Sequence, residues 1–313
     1  MKNNIIVTGG AGFIGSNLVH QLNLMGINDI YIIDSNNNEF KTKNLNKLKF
    51  KDFVDKDFFI NNLNQFQDSK FCFHQGACSD TTNPDKQYLM TNNFEYSKQL
   101  LQFCNKNQID MIYASSASVY GNSTIFIENK RYEEPINYYA ESKLNFDNYV
   151  RSNLSDLDIT VTGLRYFNVY GPGEFHKNHM SSVVLKFYNQ MLKDNTIKIF
   201  KGSKKFIRDF IYIDDVIDLN IFFYQNKVNG IFNIGTSNPR SFSDIATIFK
   251  TINSDIKIKE IDFPEKLKGQ YQEFTKSDNS LIKKIIPDLS FLSLEDGVEM
   301  YIQYLRKYYN NES

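Results

Sequence analysis

Tryptophan is absent from the 313 residues, cysteine occurs three times and histidine four times. Cys72, Cys78 and Cys104 show no Cys-x-x-Cys spacing and leave an odd count, which reads as free thiols in a reducing cytoplasm. The histidines form no His-Glu-x-x-His pair. His176 and His179 stand three apart with no cysteine or carboxylate set beside them, so no metal is expected. There is no excess of charge: 36 basic residues balance 36 acidic ones, so a global field for nucleic acid is missing. No apolar stretch reaches the roughly 18 residues that span a bilayer. The sequence starts straight into a strand-like run, so no signal peptide is expected, and the expected location is cytoplasmic. There is no internal repeat and no low-complexity linker. The abundance of asparagine, lysine, isoleucine and phenylalanine is a bias of the kind codon usage produces.

What is present is an ordinary globular composition, 41% hydrophobic and 23% charged. The length suits one large or two interleaved domains with ample core. The most informative stretch is Asn4 to Leu18. An apolar β-prone run ends in Gly9-Gly10-Ala11-Gly12-Phe13-Ile14-Gly15 and feeds a helical pattern. The glycines fit both G-x-G-x-x-G and G-x-x-G-x-x-G. One allows a tight turn, one lets a pyrophosphate approach the backbone, and one lets the helix pack close to the sheet. The helix N-terminus then offers free N–H groups to phosphate. The next strand, Ile30 to Ile33, ends in Asp34, nineteen residues after Gly15, where a ribose-binding carboxylate belongs.

The first half alternates strand and helix. A helix is predicted from about Phe13 to Met25, a strand end at Val54-Asp55, and a strand over Phe71–His74. A long helix follows from roughly Tyr88 to Asn105, then a strand over Met111–Ala114. The pattern predicts an α/β fold with a doubly wound, parallel Rossmann sheet and a smaller interleaved α/β substrate-binding domain. The expected division is 1–168 plus about 210–235 for the nucleotide, and about 169–209 plus 236–313 for the substrate. A helix is expected from about Met180 to Lys193. Ile211-Tyr212 and Ile231–Gly235 are expected to return to the nucleotide domain. Ile256–Phe263, Lys266 and Lys268 are expected in the other lobe, the two lysines solvated. Lys41 follows Asp34 closely enough to reach a ribose 2′-phosphate. The small-residue loop Gln75-Gly76-Ala77-Cys78-Ser79 leaves a strand's C-terminal end, where such sheets hold ligands.

The strand ending near Ala114 runs into Ser115-Ser116, and the next helix opens Tyr138-Tyr139-Ala140-Glu141-Ser142-Lys143. Tyr139 and Lys143, at i and i+4, share one helix face. A free tyrosine has a pKa near 10 and is a poor base at neutral pH. An ammonium about 4 Å away at an effective dielectric of about 20 contributes roughly 4 kcal/mol. That is at most about 3 pKa units, enough to bring the phenol near neutrality. Ser116 can hydrogen-bond the same substrate oxygen. Alone, Tyr-x-x-x-Lys is commonly a pair of surface residues; after a dinucleotide fingerprint and a serine-ended strand it points to proton transfer. Arg208, or the backbone near Ser203, suits a diphosphate. A local Arg208–Asp209 ion pair is the alternative.

These residues resemble the extended short-chain dehydrogenase/reductases that act on nucleotide sugars. Four further segments carry the resemblance toward the ADP-L-glycero-D-manno-heptose 6-epimerase family: Gln75 to Ser79, Arg165 to Glu174, Phe200 to Ser203 with Arg208 to Phe210, and Phe263 to Gln272. The match runs essentially end to end. It implies that Gly9, Gly12, Phe13, Ile14, Gly15, Asp34, Ser35, Lys41 and Lys56 contact the cofactor. It implies the same for Gln75, Gly76, Ala77, Cys78, Ser79, Asn92, Lys143, Val169 and Lys177. Tyr139 and Lys177 match the two acid/base positions, with Lys143 and Ser116 beside them. Asn168, His179, Lys186, Phe200, Lys201, Gly202, Ser203, Arg208 and Tyr271 match substrate-binding positions. Gln75, His179 and Lys186 depart from the family's usual residues. The resemblance implies NADP, a 2′-phosphate being suited to Lys41, whereas Asp34 favours NAD.

The implied reaction inverts carbon 6 of an ADP-heptose for the lipopolysaccharide inner core. It passes through a 6-keto sugar, with no nucleic-acid or membrane partner and a homo-oligomer, a pentamer, as the assembly. The rival reading is a UDP-hexose 4-epimerase, which need not have a lysine corresponding to Lys177. A 4,6-dehydratase typically carries Thr-Asp-Glu after its serine, and here Ser116 is followed by Ala117-Ser118. A binding-only Rossmann protein often loses the tyrosine or lysine kept here.

Overall fold

The structure, a computed structural model, describes residues 3–35, 38–263 and 272–312. In chain order the first part runs β1 (Asn4–Thr8), α1 (Phe13–Leu24), β2 (Ile30–Asp34), α2 (Glu39–Asn44), β3 (Asp52–Asp55), α3 (Lys56–Asn61) and β4 (Ser69–His74). Then come α4 (Lys86–Leu89), a π turn over Met90–Glu95, α5 (Tyr96–Lys106), β5 (Asp110–Ser116), α6 (Tyr138–Asn153) and β6 (Val161–Tyr166). The second part runs β7 (Asn168–Tyr170), α7 (Val183–Asp194), β8 (Thr196–Phe200), β9 (Ile207–Arg208), β10 (Phe210–Tyr212) and α8 (Ile213–Asn226). It ends with β11 (Gly230–Ile234), β12 (Arg240–Ser241), α9 (Phe242–Ile252), β13 (Lys257–Ile261) and α10 (Leu294–Glu312).

Among the described residues, seven strands form one sheet in the order β11-β6-β5-β4-β1-β2-β3. Every pairing is parallel, with Ile5 opposite Ile30 and Val7 opposite Phe73. The expected doubly wound sheet is present, and its strands read as apolar runs because helices cover both faces. Alternate residues of β1 show this. Ile5 and Val7 pack with Leu18 and Leu22 of α1 and Val216 of α8. Ile6 packs on the other side with Phe59 of α3, Leu101 of α5 and Phe146 of α6. All three are fully buried, each contributing about 1.5–3 kcal/mol by transfer from water.

Among the described residues, three two-strand pairs lie outside this sheet: β7 with β10, β9 with β12, and β8 with β13. The last is parallel, with Ile197 opposite Ile258. Ile211-Tyr212 therefore pairs with Val169-Tyr170 and not within the main sheet, whereas Gly230–Ile234 joins that sheet beside β6. The predicted helix from Met180 begins three residues later. Ser182 caps α7 by accepting from the Leu185 N–H at 3.2 Å. The predicted helix Tyr88–Asn105 is two helices joined by a π turn. Lys266, Lys268 and Tyr271 lie outside the described residues. No helix among the described residues is long and apolar enough to cross a membrane.

Candidate active site

At β1 the strand order reverses, with β2 and β3 on one side and β4, β5, β6 and β11 on the other. Loops leaving the C-terminal ends of β1 and β4 diverge there and open a crevice. A cleft of about 1290 Å³ fills it, larger than the roughly 300–1,000 Å³ of a single-ligand site.

Gly9, Gly12, Phe13, Ile14 and Gly15 line one end. A Cβ on Gly15 would stand 2.1 Å from the Gly9 carbonyl oxygen, so only glycine lets α1 approach the turn this closely. The helix starts at Gly12 with no side-chain cap, leaving its first N–H groups for a ligand. Asp34 is buried at the end of β2 and its carboxylate is held three ways. Oδ2 accepts from the Ala11 N–H at 3.0 Å. Oδ1 accepts from the Ser35 N–H at 2.8 Å and the Lys41 ammonium at 2.6 Å. Lys56 donates to Asn92 Oδ1 at 3.2 Å from the neighbouring wall.

The Gln75–Ser79 loop is pinned to β1, with the Gly76 N–H donating to Thr8 Oγ1 at 3.1 Å. Gln75, one of the departures from the family pattern, is engaged with Tyr166 at 3.0 Å and Asn220 at 3.2 Å. Asn93 was not singled out from sequence, yet it holds this loop. Its Oδ1 accepts from the Cys78 N–H at 2.8 Å, and its Nδ2 donates to the Cys78 carbonyl and Ser142 Oγ, each at 3.0 Å. The π turn carries Asn92, which lines the cleft, and the buried Asn93 behind it, and a 3.6-residue reading of that stretch does not anticipate it. The three cysteines are free; Cys72 and Cys104 are buried, and Cys78 lines the cleft.

Ser116 at the end of β5, and Tyr139 and Lys143 on α6, meet in the same cleft. Asn137 caps that helix by accepting from the Ala140 N–H at 2.8 Å. The Lys143 ammonium donates to the Ala114 carbonyl at 2.8 Å. The expectation for Tyr139 needs correction. Burial of its hydroxyl pushes the pKa above the usual value, and the Ser116 hydrogen bond only partly opposes this. Burial pushes Lys143 down to about 8 against the opposing field of Asp147. A pairwise Coulomb estimate at a dielectric of about 20 leaves out the desolvation that burial imposes on both groups. Asp147 was also missed, although it stands at i+4 from Lys143. It accepts from Tyr113, Ser115 and Arg165, and Arg165 reaches on to Glu133 at 2.6 Å, so a buried ionic network lies behind the tyrosine wall.

The remaining wall comes from the second part. Asn168, Val169, Lys177, His179, Lys186, Phe200 and Arg208 all line the cleft. Burial holds Lys177 and Lys186 below the usual lysine range, and Glu174 opposes this for both. His179 is largely exposed, 3.9 Å from Asp80. Arg208 faces the cleft, while the carboxylate of Asp209 accepts from the N–H groups of Thr236, Ser237 and Ser277. Lys201, Gly202 and Ser203 sit in the β8–β9 connection and do not line it. Lys201 pairs with Asp262 at 2.8 Å and Ser203 with Ser243 at 2.6 Å. Among the described residues no cluster of three His, Cys, Asp or Glu is arranged to hold a metal.

A parallel sheet with a glycine turn at its switch point, a Ser at a neighbouring strand end, and Tyr and Lys on the helix that follows it defines the extended short-chain dehydrogenase/reductase class. The glycine cradle, the uncapped helix start and the carboxylate of Asp34 fit a nicotinamide dinucleotide. A profile of the NAD dependent epimerase/dehydratase family matches residues 5–235, and the chain belongs to that family. It is 46% identical over 311 residues to an ADP-L-glycero-D-manno-heptose-6-epimerase of Brachyspira hyodysenteriae, covering 97% of this chain and 98% of the other. The crystal structure of Helicobacter pylori ADP-L-glycero-D-manno-heptose-6-epimerase is 32% identical with a TM-score of 0.84, covering 97% and 96% of the two chains. UDP-glucose 4-epimerase of Thermotoga maritima, solved with UDP-glucose, is 26% identical with a TM-score of 0.84, covering 97% and 99%.

Proposed function

We propose that the protein is an epimerase that inverts carbon 6 of ADP-D-glycero-D-manno-heptose to give the L-glycero epimer, using a retained NADP. The observation that carries this reading is that Tyr139 and Lys177, from distant segments, line one cleft with the dinucleotide turn. The 46% identity to a heptose epimerase supports the choice of substrate over a UDP-hexose.

A nicotinamide dinucleotide held by the Gly9–Gly15 turn and Asp34 would supply hydride transfer from carbon 6 and back. Tyr139 or Lys177 takes the proton of the carbon-6 hydroxyl as the 6-keto sugar forms. The sugar end turns about its carbon–carbon bond. The other residue then gives a proton to the oxygen on the opposite face. Two acid/base groups suit a reaction that serves both epimers. Ser116 orients the oxygen, and Lys143, held by Ala114, keeps a positive charge beside the tyrosine. Arg208 and Lys186 suit the diphosphate. The choice of NADP rests on Lys41, which pairs with Asp34 at 2.6 Å and is a cation suited to a 2′-phosphate.

The test is proton NMR of purified protein with ADP-D-glycero-D-manno-heptose, and with UDP-glucose in a parallel tube. Appearance of the L-glycero epimer without added cofactor is expected. Conversion of UDP-glucose alone would place the chemistry at carbon 4 and overturn the reading.

A further inference from the structure

Between β7 and α7 the chain crosses the fingerprint turn as a segment with little regular structure. Its only helical piece is a 3-10 turn over Phe175–Met180, interrupted at Asn178, where φ is +48°. No strand ladder holds such a stretch in place, so side chains of other elements must. Asn17 of α1 donates from Nδ2 to the Pro172 carbonyl at 2.9 Å and to the Phe13 carbonyl at 2.8 Å. Asn44, the last residue of α2, donates from Nδ2 to the Gly173 carbonyl at 2.9 Å and the Ala11 carbonyl at 3.1 Å. One amide group therefore joins the fingerprint turn to the segment above it. Gly173 has φ of +100°, and a Cβ there would stand 3.1 Å from Asn17 Nδ2, so the segment lies flush on α1.

The far end is closed by Glu174. It is fully buried and accepts from the Ser182 N–H at 2.5 Å and the Ser182 hydroxyl at 2.6 Å. Phe175 stacks between Phe40 of α2, 6.2 Å away, and Tyr308 of α10, 4.3 Å away. The inner side faces the turn. His176 Nε2 lies 3.9 Å from where a Cβ on Gly12 would stand, and Lys177 Nζ lies 5.4 Å from the centre of the Phe13 ring.

We propose that residues 172–182 form a strap that retains the dinucleotide, and that Asn44 is the positioning residue that latches the strap to the fingerprint turn. The proposal rests on the cofactor reading above. A dinucleotide held by Gly9–Gly15 and the start of α1 is enclosed between turn and strap, and leaves only when the strap lifts. The chemistry needs this. Hydride leaves the sugar and returns to it in one visit, so a cofactor lost between the two transfers would strand the 6-keto sugar. The same latch sets Lys177 against the turn, which couples cofactor retention to placement of the acid/base group.

Asn44→Leu keeps the side-chain shape and removes the donor. Wild-type protein and variant are passed through gel filtration, bound nucleotide is measured after denaturation, and release of NADP is timed by displacement. The variant is expected to emerge depleted and to release NADP about tenfold faster or more. Excess NADP is expected to restore most of its turnover, which damage to the fold alone would not allow. Asn17→Ala is expected to act in the same direction with a smaller effect. Wild-type retention and release in Asn44→Leu would overturn the strap. Should that variant fail to fold by near-ultraviolet circular dichroism, unchanged retention in both Asn17→Ala and Phe175→Ala would overturn it. A wild-type chain that releases no NADP or NAD on denaturation, and whose melting temperature neither raises, would overturn the cofactor reading and the strap together.

Discussion

Tyr139 and Lys177 line one cleft, but different kinds of architecture hold them there. Tyr139 rides on α6, a capped 16-residue helix packed on the sheet, and behind it Asp147 is locked to Tyr113, Ser115 and Arg165. Lys177 sits on an irregular segment fixed by amides and rings from α1, α2, α7 and α10. The tyrosine wall draws on the cooperative stability of the core. The lysine wall depends on a few side-chain contacts, each worth about 1 kcal/mol net. Damage to the first should therefore register as lost stability, and damage to the second as lost function in a folded protein.

The largest effects are expected at the acid/base groups, where the two walls should be equally necessary. Tyr139→Phe and Lys177→Met should each lower epimerisation about 10²–10⁴-fold with little change in melting temperature. Near wild-type turnover in either variant, measured by proton NMR, would remove that residue from the chemistry. Next comes the framework behind the tyrosine. Asp147→Ala leaves the buried Arg165 short of a partner and should cost on the order of 3–5 kcal/mol in urea unfolding. An unchanged unfolding midpoint would break the comparison.

A third effect belongs to the same framework. His74 is buried between Thr8 and Ser97, and burial, aided by Lys143, pushes its pKa from 6.5 down to about 3. The folded state therefore keeps it neutral while the unfolded chain binds a proton below 6.5. Its stabilising contribution is complete above pH 6.5 and falls by about 1.4 kcal/mol per pH unit toward pH 3. His74→Gln should flatten that slope, and an identical slope would exclude His74 as its source. The smallest effect sharpens the contrast from the other side. Ser182→Ala removes a helix cap and a partner of Glu174, and should cost only about 1 kcal/mol in urea. Turnover should nevertheless fall, because Lys177 loses its anchored loop. Full activity at reduced stability would mean that the lysine wall does not depend on that anchor.

Local patterns made much of the site legible. The Gly9–Gly15 turn, Asp34 and the Tyr139/Lys143 pair are set by spacing along a strand or helix, and each stands where that spacing puts it. Lys177 became legible through family resemblance, since no periodicity singles out a lysine in a loop. Asn93 was hidden by a π turn that departs from ordinary helical spacing. Asp147 carried a signal, one helical turn beyond Lys143, that acquires meaning only beside Arg165. The shift in Tyr139 was misjudged because a pairwise Coulomb estimate omits the desolvation that accompanies burial.

By itself the sequence determined the parallel α/β frame, the strand that carries the dinucleotide turn, and the chemical groups available for proton transfer. These follow from hydrophobic periodicity and glycine sterics, which act over a few neighbouring residues. Only the tertiary structure decided that Lys177 shares a cleft with Tyr139, that Asn44 joins the turn to the strap, and that burial raises the pKa of the tyrosine. Those outcomes depend on contacts between residues far apart in the chain, Asn44 and Gly173 being 129 positions apart, and on the dielectric surroundings that packing creates around them.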